Sequence, residues 1–160
     1  ANARRWFDQA GGGKFGGLYG YTGPGNSPPM VATGMFCRQL DLVPPEDPRM
    51  IESADVLKAR PINANNPAYY YLYYGTLSLY QHQGPIWAEW NERLKETLPR
   101  LQVKTGADTG SWDKGANHAA SGGRVVSTTL ATLSLEVYYR LLPMYGFRSD
   151  QLPAAKPKGG

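Results

Sequence analysis

The side chains best suited to chemistry are few in this chain, and they lie far apart. It holds one cysteine, Cys37, and two histidines, His82 and His118. A thiolate and an imidazole could share a zinc ion, but a closed or catalytic zinc site needs three or four such ligands. Cys37 stands in MVATGMFCRQL, an apolar helical context where a small buried hydrophobe is expected rather than a nucleophile. His82, in YQHQG, falls near a helix C-terminus, where a cation is favoured. His118, in GANHAASGG, reads as a solvated loop residue. Glu89, Glu92 and Glu96 alternate with Arg93 and Lys95, the pattern of a solvated face rather than of an acid–base pair. Gly11-Gly12-Gly13-Lys14 puts glycines beside a lysine, as a phosphate cradle does, but lacks the Walker spacing and a preceding strand. No nucleophile, base and oxyanion donor come together in this inventory, so no catalytic residue, metal or cofactor is expected.

Tyrosine is the abundant functional type. There are eleven, in a chain of 160 residues with only 19% charged positions, against about 25% in an average protein. A tyrosine supplies apolar area with a polar tip. The net charge of +4 and pI near 9.2 would suit a polyanion. Yet Arg4-Arg5 is the one adjacent basic pair and the other Lys and Arg are scattered, so a nucleic-acid footprint is not expected. The run VVSTTLATLSLEV is too short, and too broken by Thr, Ser and Glu136, to cross a bilayer. A lone cysteine excludes an intrachain disulfide framework.

The elements that must hold these residues are helices. Ser27-Pro28, Asp47-Pro48, Asn66-Pro67 and Gly84-Pro85 each pair a residue able to cap with a proline suited to the first helical position. They predict helices over 28–40, 48–59, 67–83 and 85–98, with Pro99 ending or kinking the last. A short helix over 2–10 ends at Gly11-Gly12-Gly13. A longer one over 124–142 carries Val126, Leu130, Leu133, Val137 and Leu141 at helical spacing, with Glu136 and Arg140 as an i,i+4 pair. Segments 67–83 and 124–142 are apolar almost all round and read as inner helices, whereas 85–98 is amphipathic and reads as outer. YYYLYY has strand propensity, but its Asn-Pro start and the following TLSLYQH favour a helix.

Thr-Leu-Ser-Leu occurs twice, at 76–79 and 132–135, once in each of those inner segments. Glycine-and-aromatic loops, FGGLYGYTGPG and GADTGSWDKG, precede the first and third inner helices. The order is outer helix, loop, inner helix, as in repeated helical pairs that bury their faces against neighbouring pairs. Gln102 followed by Gly110-Ser111-Trp112 resembles the glutamine–tryptophan motif of squalene and hopene cyclases and protein prenyltransferase β subunits. Gln9 followed by Gly17-Leu18-Tyr19 or Gly20-Tyr21 looks like a degenerate copy. With AYYYLYYGTLSLYQHQGPIWAEWNERL and GGRVVSTTLATLSLEVYYRLLPMY, residues 3–147 are similar to bacterial prenyltransferase/squalene-oxidase-repeat proteins.

That resemblance implies an all-α fold, a fragment of an α/α toroid with about six helices in hairpins over residues 1–147, followed by a flexible tail at 148–160. It implies that Trp112 packs on helix ends and that Gln102 bonds free backbone groups there, a structural pair. It also implies catalytic motifs that are missing. The Asp-x-Asp-Asp of hopene-type cyclases is absent, with Asp41 and Asp55 standing alone, and so is the cysteine-linked aspartate of oxidosqualene cyclases. Met35 stands where a prenyltransferase zinc site would place an aspartate before Cys37, and Cys37-Arg38-Gln39 is not a thioester motif.

The expected function is therefore a non-catalytic binding or scaffolding module. Tyr70, Tyr73, Tyr74, Tyr138 and Tyr139 form either its ligand-facing surface or simply its core. The alternative is part of a terpene cyclase or prenyltransferase-like enzyme whose acidic motif lies outside this chain. A polysaccharide-lyase-like toroid would instead need Asn117-His118 near Tyr139. Inner helices with bare apolar edges predict a partner, either the rest of a longer chain or a second copy forming a homodimer.

Overall fold

Proline, glycine and apolar periodicity divide the chain into six helices in the computed structural model, which describes residues 2–115 and 118–145 without the side chains of residues 118–120 and Tyr138. They are α1 (Asn2–Ala10), α2 (Pro28–Leu40), α3 (Pro48–Ala59), α4 (Tyr69–His82), α5 (Gly84–Leu101) and α6 (His118–Arg140). Among the described residues there is no strand, only two isolated bridges, Gly12–Leu18 and Gln102–Trp112. The molecule is all-helical.

The proline-led starts behave differently from one another. Asp47 caps α3 through its carboxylate, which accepts from Arg49 N–H at 2.9 Å. Ser27 makes no side-chain cap to α2. The helix predicted from Pro67 begins instead at Tyr69, so the proline leads into the helix without opening it. α5 runs through Pro99 to Leu101 rather than stopping at residue 98. So near a helix end proline removes a single bond, and the last carbonyls can find other partners. One of them does, since Leu98 O accepts from the Trp112 indole at 2.7 Å.

His118, expected in a loop, opens α6. The helix is interrupted at Gly123, with φ 68° and ψ −163°, so its continuous part starts at Arg124, where the sequence pattern begins. It ends at Arg140, two residues short of the predicted boundary.

α4 is the central element. It packs chiefly against α2 on one side and α6 on the other, while α3 lies on α2 and α5 lies on α4 and α6. The outer helices turn narrow stripes inward: Met50, Ala54 and Leu57 from α3, and Trp90, Leu94 and Leu98 from α5, all buried. Helix α4 is buried almost all round, from Tyr69 to Gln81. It can approach α5 closely because Gly75 carries no side chain; a Cβ there would stand 2.8 Å from the Trp90 ring. The same indole donates to Thr76 Oγ1 at 3.0 Å and meets the Tyr71 ring edge-on at 5.6 Å.

Much of the tyrosine excess serves these joints. Tyr71 OH donates to Arg60 O just past α3 at 2.7 Å, and Tyr80 OH donates to Leu141 O past α6 at 2.8 Å. Tyr145 OH donates to Val43 O past α2 at 2.5 Å. The rings of Tyr71 and Tyr80 fill apolar space while their hydroxyls satisfy carbonyls just past a helix end. Burial pushes the phenols of Tyr69 and Tyr145 up to about 12, so both keep their proton.

Candidate functional site

The glycine-rich loop after α1 closes around a side chain of α3. The backbone N–H groups of Lys14, Phe15 and Gly17 donate to the Glu52 carboxylate at 2.6, 3.2 and 2.9 Å. The loop is thus an anion cradle whose anion is internal. Gln9, read as the glutamine of a degenerate motif, is exposed on α1, and the bridge in this loop joins Gly12 to Leu18.

In the second loop, Trp112 is buried and joins two helices. Its indole N–H donates to Leu98 O of α5, and its backbone N–H donates to Thr128 Oγ1 of α6 at 3.1 Å. Gln102 donates to Gly110 O at 2.9 Å, inside its own loop rather than at a helix end.

Tyr70, Tyr73 and Tyr74 lie together on α4. Ring centroids are 4.8 Å apart for Tyr70–Tyr74 and 5.2 Å apart for Tyr73–Tyr74, and burial raises the Tyr74 phenol above its ordinary value. Tyr73 and Leu77 of α4 face Leu133, Val137 and Arg140 of α6, with Leu141 just past its end, across a groove of about 360 Å³. Tyr139 is 79% exposed and does not line that groove. Asn117, the side chains of His118 and Tyr138, and the tail beyond residue 145 lie outside the described residues, so the Asn117–His118–Tyr139 arrangement does too.

A second cleft, of about 580 Å³, opens between α1, the end of α2 and the start of α3. Three arginines and three aspartates line it. Arg49 grips Asp47 with both arms, Nε–Oδ1 at 2.8 Å and Nη2–Oδ2 at 2.7 Å. That guanidinium holds the Asp47 carboxyl below its ordinary value. Arg4 pairs with Asp41 at 2.6 Å near the surface. Arg38 is the buried member, with 6% of its side chain exposed. It donates to Tyr19 OH and to Phe7 O, and reaches Asp8 Oδ1 at 3.3 Å. Cys37 lines the same cleft, half-buried, with its thiol pushed up by burial. It is less enclosed than its apolar sequence context suggested, because α1 stands off from this end of α2 and leaves the cleft between them. No sequence spacing announces this cluster. Its members come from three helices and a connector; Arg4, Cys37, Asp41 and Asp47 were each visible for separate reasons, but nothing in the sequence brings them together.

Among the described residues no three His, Cys, Asp or Glu side chains gather to hold a metal ion, and no helix is long and apolar enough to cross a membrane. Compared with known proteins, the chain matches no family model, no curated sequence and no solved structure.

Proposed function

We propose that this chain is a binding or scaffolding module of the α/α-toroid type, in which successive hairpins add an inner helix to one face and an outer helix to the other. The groove between α4 and α6 is its ligand surface. The observation that carries this reading is the groove's lining. Tyr73, Leu77, Leu133 and Val137 present apolar area with one phenol, and Arg140 sits at the rim. Ligand pockets have this composition, mostly apolar with a few placed polar groups, and a volume of about 360 Å³ lies within their usual range of roughly 300–1,000 Å³. The helix contacts are compatible with it as well, since α4 packs against both α2 and α6, α3 packs on α2, and α5 packs on α4 and α6.

Farnesol, a cello-oligosaccharide and a proline-rich peptide represent the isoprenoid, glycan and peptide classes that an amphipathic aromatic surface accepts. Titration of each, followed by NMR shifts of α4 and α6 amides, should single out one class that perturbs Tyr73, Leu77 and Leu133. Leu133→Arg, which fills the groove, should abolish that binding. If no class moves these amides, or if the arginine variant binds as well as the parent, the groove is not a ligand surface.

A further inference from the structure

The cleft beneath α1 has a chemistry of its own, independent of the tyrosine groove. We propose that it binds a small amphipathic carboxylate, whose head group takes the place Asp8 now holds on Arg38 and Arg49, and whose apolar tail lies along Phe7, Leu40, Leu42 and Val43.

Burial is the first ground. A guanidinium taken out of water needs an anion close by. Among the described residues Arg38, 6% exposed, has its one direct ion pair with Asp8, which is 60% exposed and belongs to a helix with a single buried residue, Ala10. The contacts are long. Both Nη atoms of Arg38 stand 3.3 Å from Asp8 Oδ1, and Arg49 Nη1 stands 3.4 Å from the same oxygen. Charge-assisted N–H···O bonds usually close to about 2.7–2.9 Å. The adjoining Arg49–Asp47 pair, at 2.7 and 2.8 Å, shows that this region can reach such distances. Two guanidinium groups thus converge on one loosely held carboxylate oxygen.

The charges point the same way. Arg49 is balanced by Asp47 and Arg4 by Asp41, which leaves Arg38 to Asp8. When Asp8 withdraws, one positive charge remains at the floor of the cleft, matched to a single carboxylate. The walls supply the apolar part. Leu40 and Leu42 are 61% and 68% exposed, and Leu42 holds a left-handed backbone, φ 59°, that leucine seldom adopts. Strained backbone of this kind gathers at ligand sites. A volume of about 580 Å³ suits a small molecule.

Cys37, the chain's single cysteine, lines the cleft and serves as a reporter. Decanoate and its neutral analogue decanol, each below its aggregation threshold, would be compared by calorimetry and by the rate at which iodoacetamide alkylates Cys37. Decanoate should bind and slow alkylation, with decanol at least about tenfold weaker, the expected loss of a charge-assisted contact. Asp8→Asn removes the internal competitor and should tighten decanoate about threefold, the effect of releasing one exposed ion pair. Arg49→Gln should weaken it. Leu133→Arg, in the other groove, should change nothing, which keeps the two sites separable. Equal binding of decanol and decanoate, or unchanged or weaker binding by Asp8→Asn, would overturn the proposal. Should Asp8→Asn fail to fold, the decanoate–decanol contrast on the parent chain decides alone.

Discussion

Asp47 combines two roles in one carboxylate. It caps α3 through Arg49 N–H and clamps the Arg49 guanidinium with both oxygens. Asparagine at this position would keep a capping oxygen and lose the charge, so Asp47→Asn isolates the ion pair. Arg49 lowers the carboxyl's folded value below its ordinary value of 3.8. A group depressed on folding contributes stability that is fully present above its unfolded value and is lost as pH falls through its folded value. Denaturant titrations at neutral pH should therefore show Asp47→Asn less stable by about 1 kcal/mol, a partly screened pair. The gap should stay constant down to about pH 5 and close as acid protonates Asp47 in the parent. A gap that persists unchanged into strong acid would mean that the asparagine disturbs packing rather than charge. The Glu52 cradle is built on a similar economy of groups, one side chain of α3 satisfying three amides of a loop 35–38 residues away.

Helices α2 and α3 could be read from the chain because a proline and an apolar period mark them locally. The continuous part of α6 was equally visible, since Gly122-Gly123 breaks the pattern where the backbone breaks. Helix α4 was recognised as an inner element from its unbroken apolar surface, and it is buried almost all round. What the sequence could not show was pairing at a distance. Arg38 and Asp8 are 30 residues apart and Gly17 and Glu52 are 35 apart, and nothing in either segment names its partner. The cleft was invisible for that reason, whereas Tyr70, Tyr73 and Tyr74 could be grouped because they fall within one helix, although only Tyr73 of the three lines the groove. Gly123 gives this contrast a test. Its φ of 68° with ψ of −163° is open to glycine almost alone, and no atom lies within 4 Å of where a Cβ would stand. Gly123→Ala should therefore cost about 1–3 kcal/mol through backbone strain, with no steric clash. Gly122→Ala puts its Cβ 2.5 Å from Val126, the end of one side chain on the same helix. Thermal melts that show no loss for Gly123→Ala would mean that the helix straightens without penalty.

The array of helices is covered unequally. α4 has a neighbour on each flank, but α6 packs on α4 and α5 and shows its remaining side to solvent. That side carries Val125, Thr129, Thr132 and Tyr139, all exposed and spaced by three, four or seven residues, hence along one stripe. Val125 is 78% and Tyr139 79% exposed, and Leu142 beyond the helix is 82% exposed. In stacked helical pairs each pair hides its faces only against the next one, and a terminal pair normally turns a polar side outward. This stripe has the side chains of an inner joint, small β-branched residues with one aromatic, and we propose that a second copy of the chain docks on it. Light scattering across a concentration series should show the chain self-associating. Val125→Glu combined with Tyr139→Glu should return it to a monomer with stability changed by less than about 0.5 kcal/mol per site, as for substitutions on a solvated face. Association that survives both glutamates would place the contact elsewhere on the molecule. A parent chain that is monomeric throughout would count against this stripe as a contact between copies.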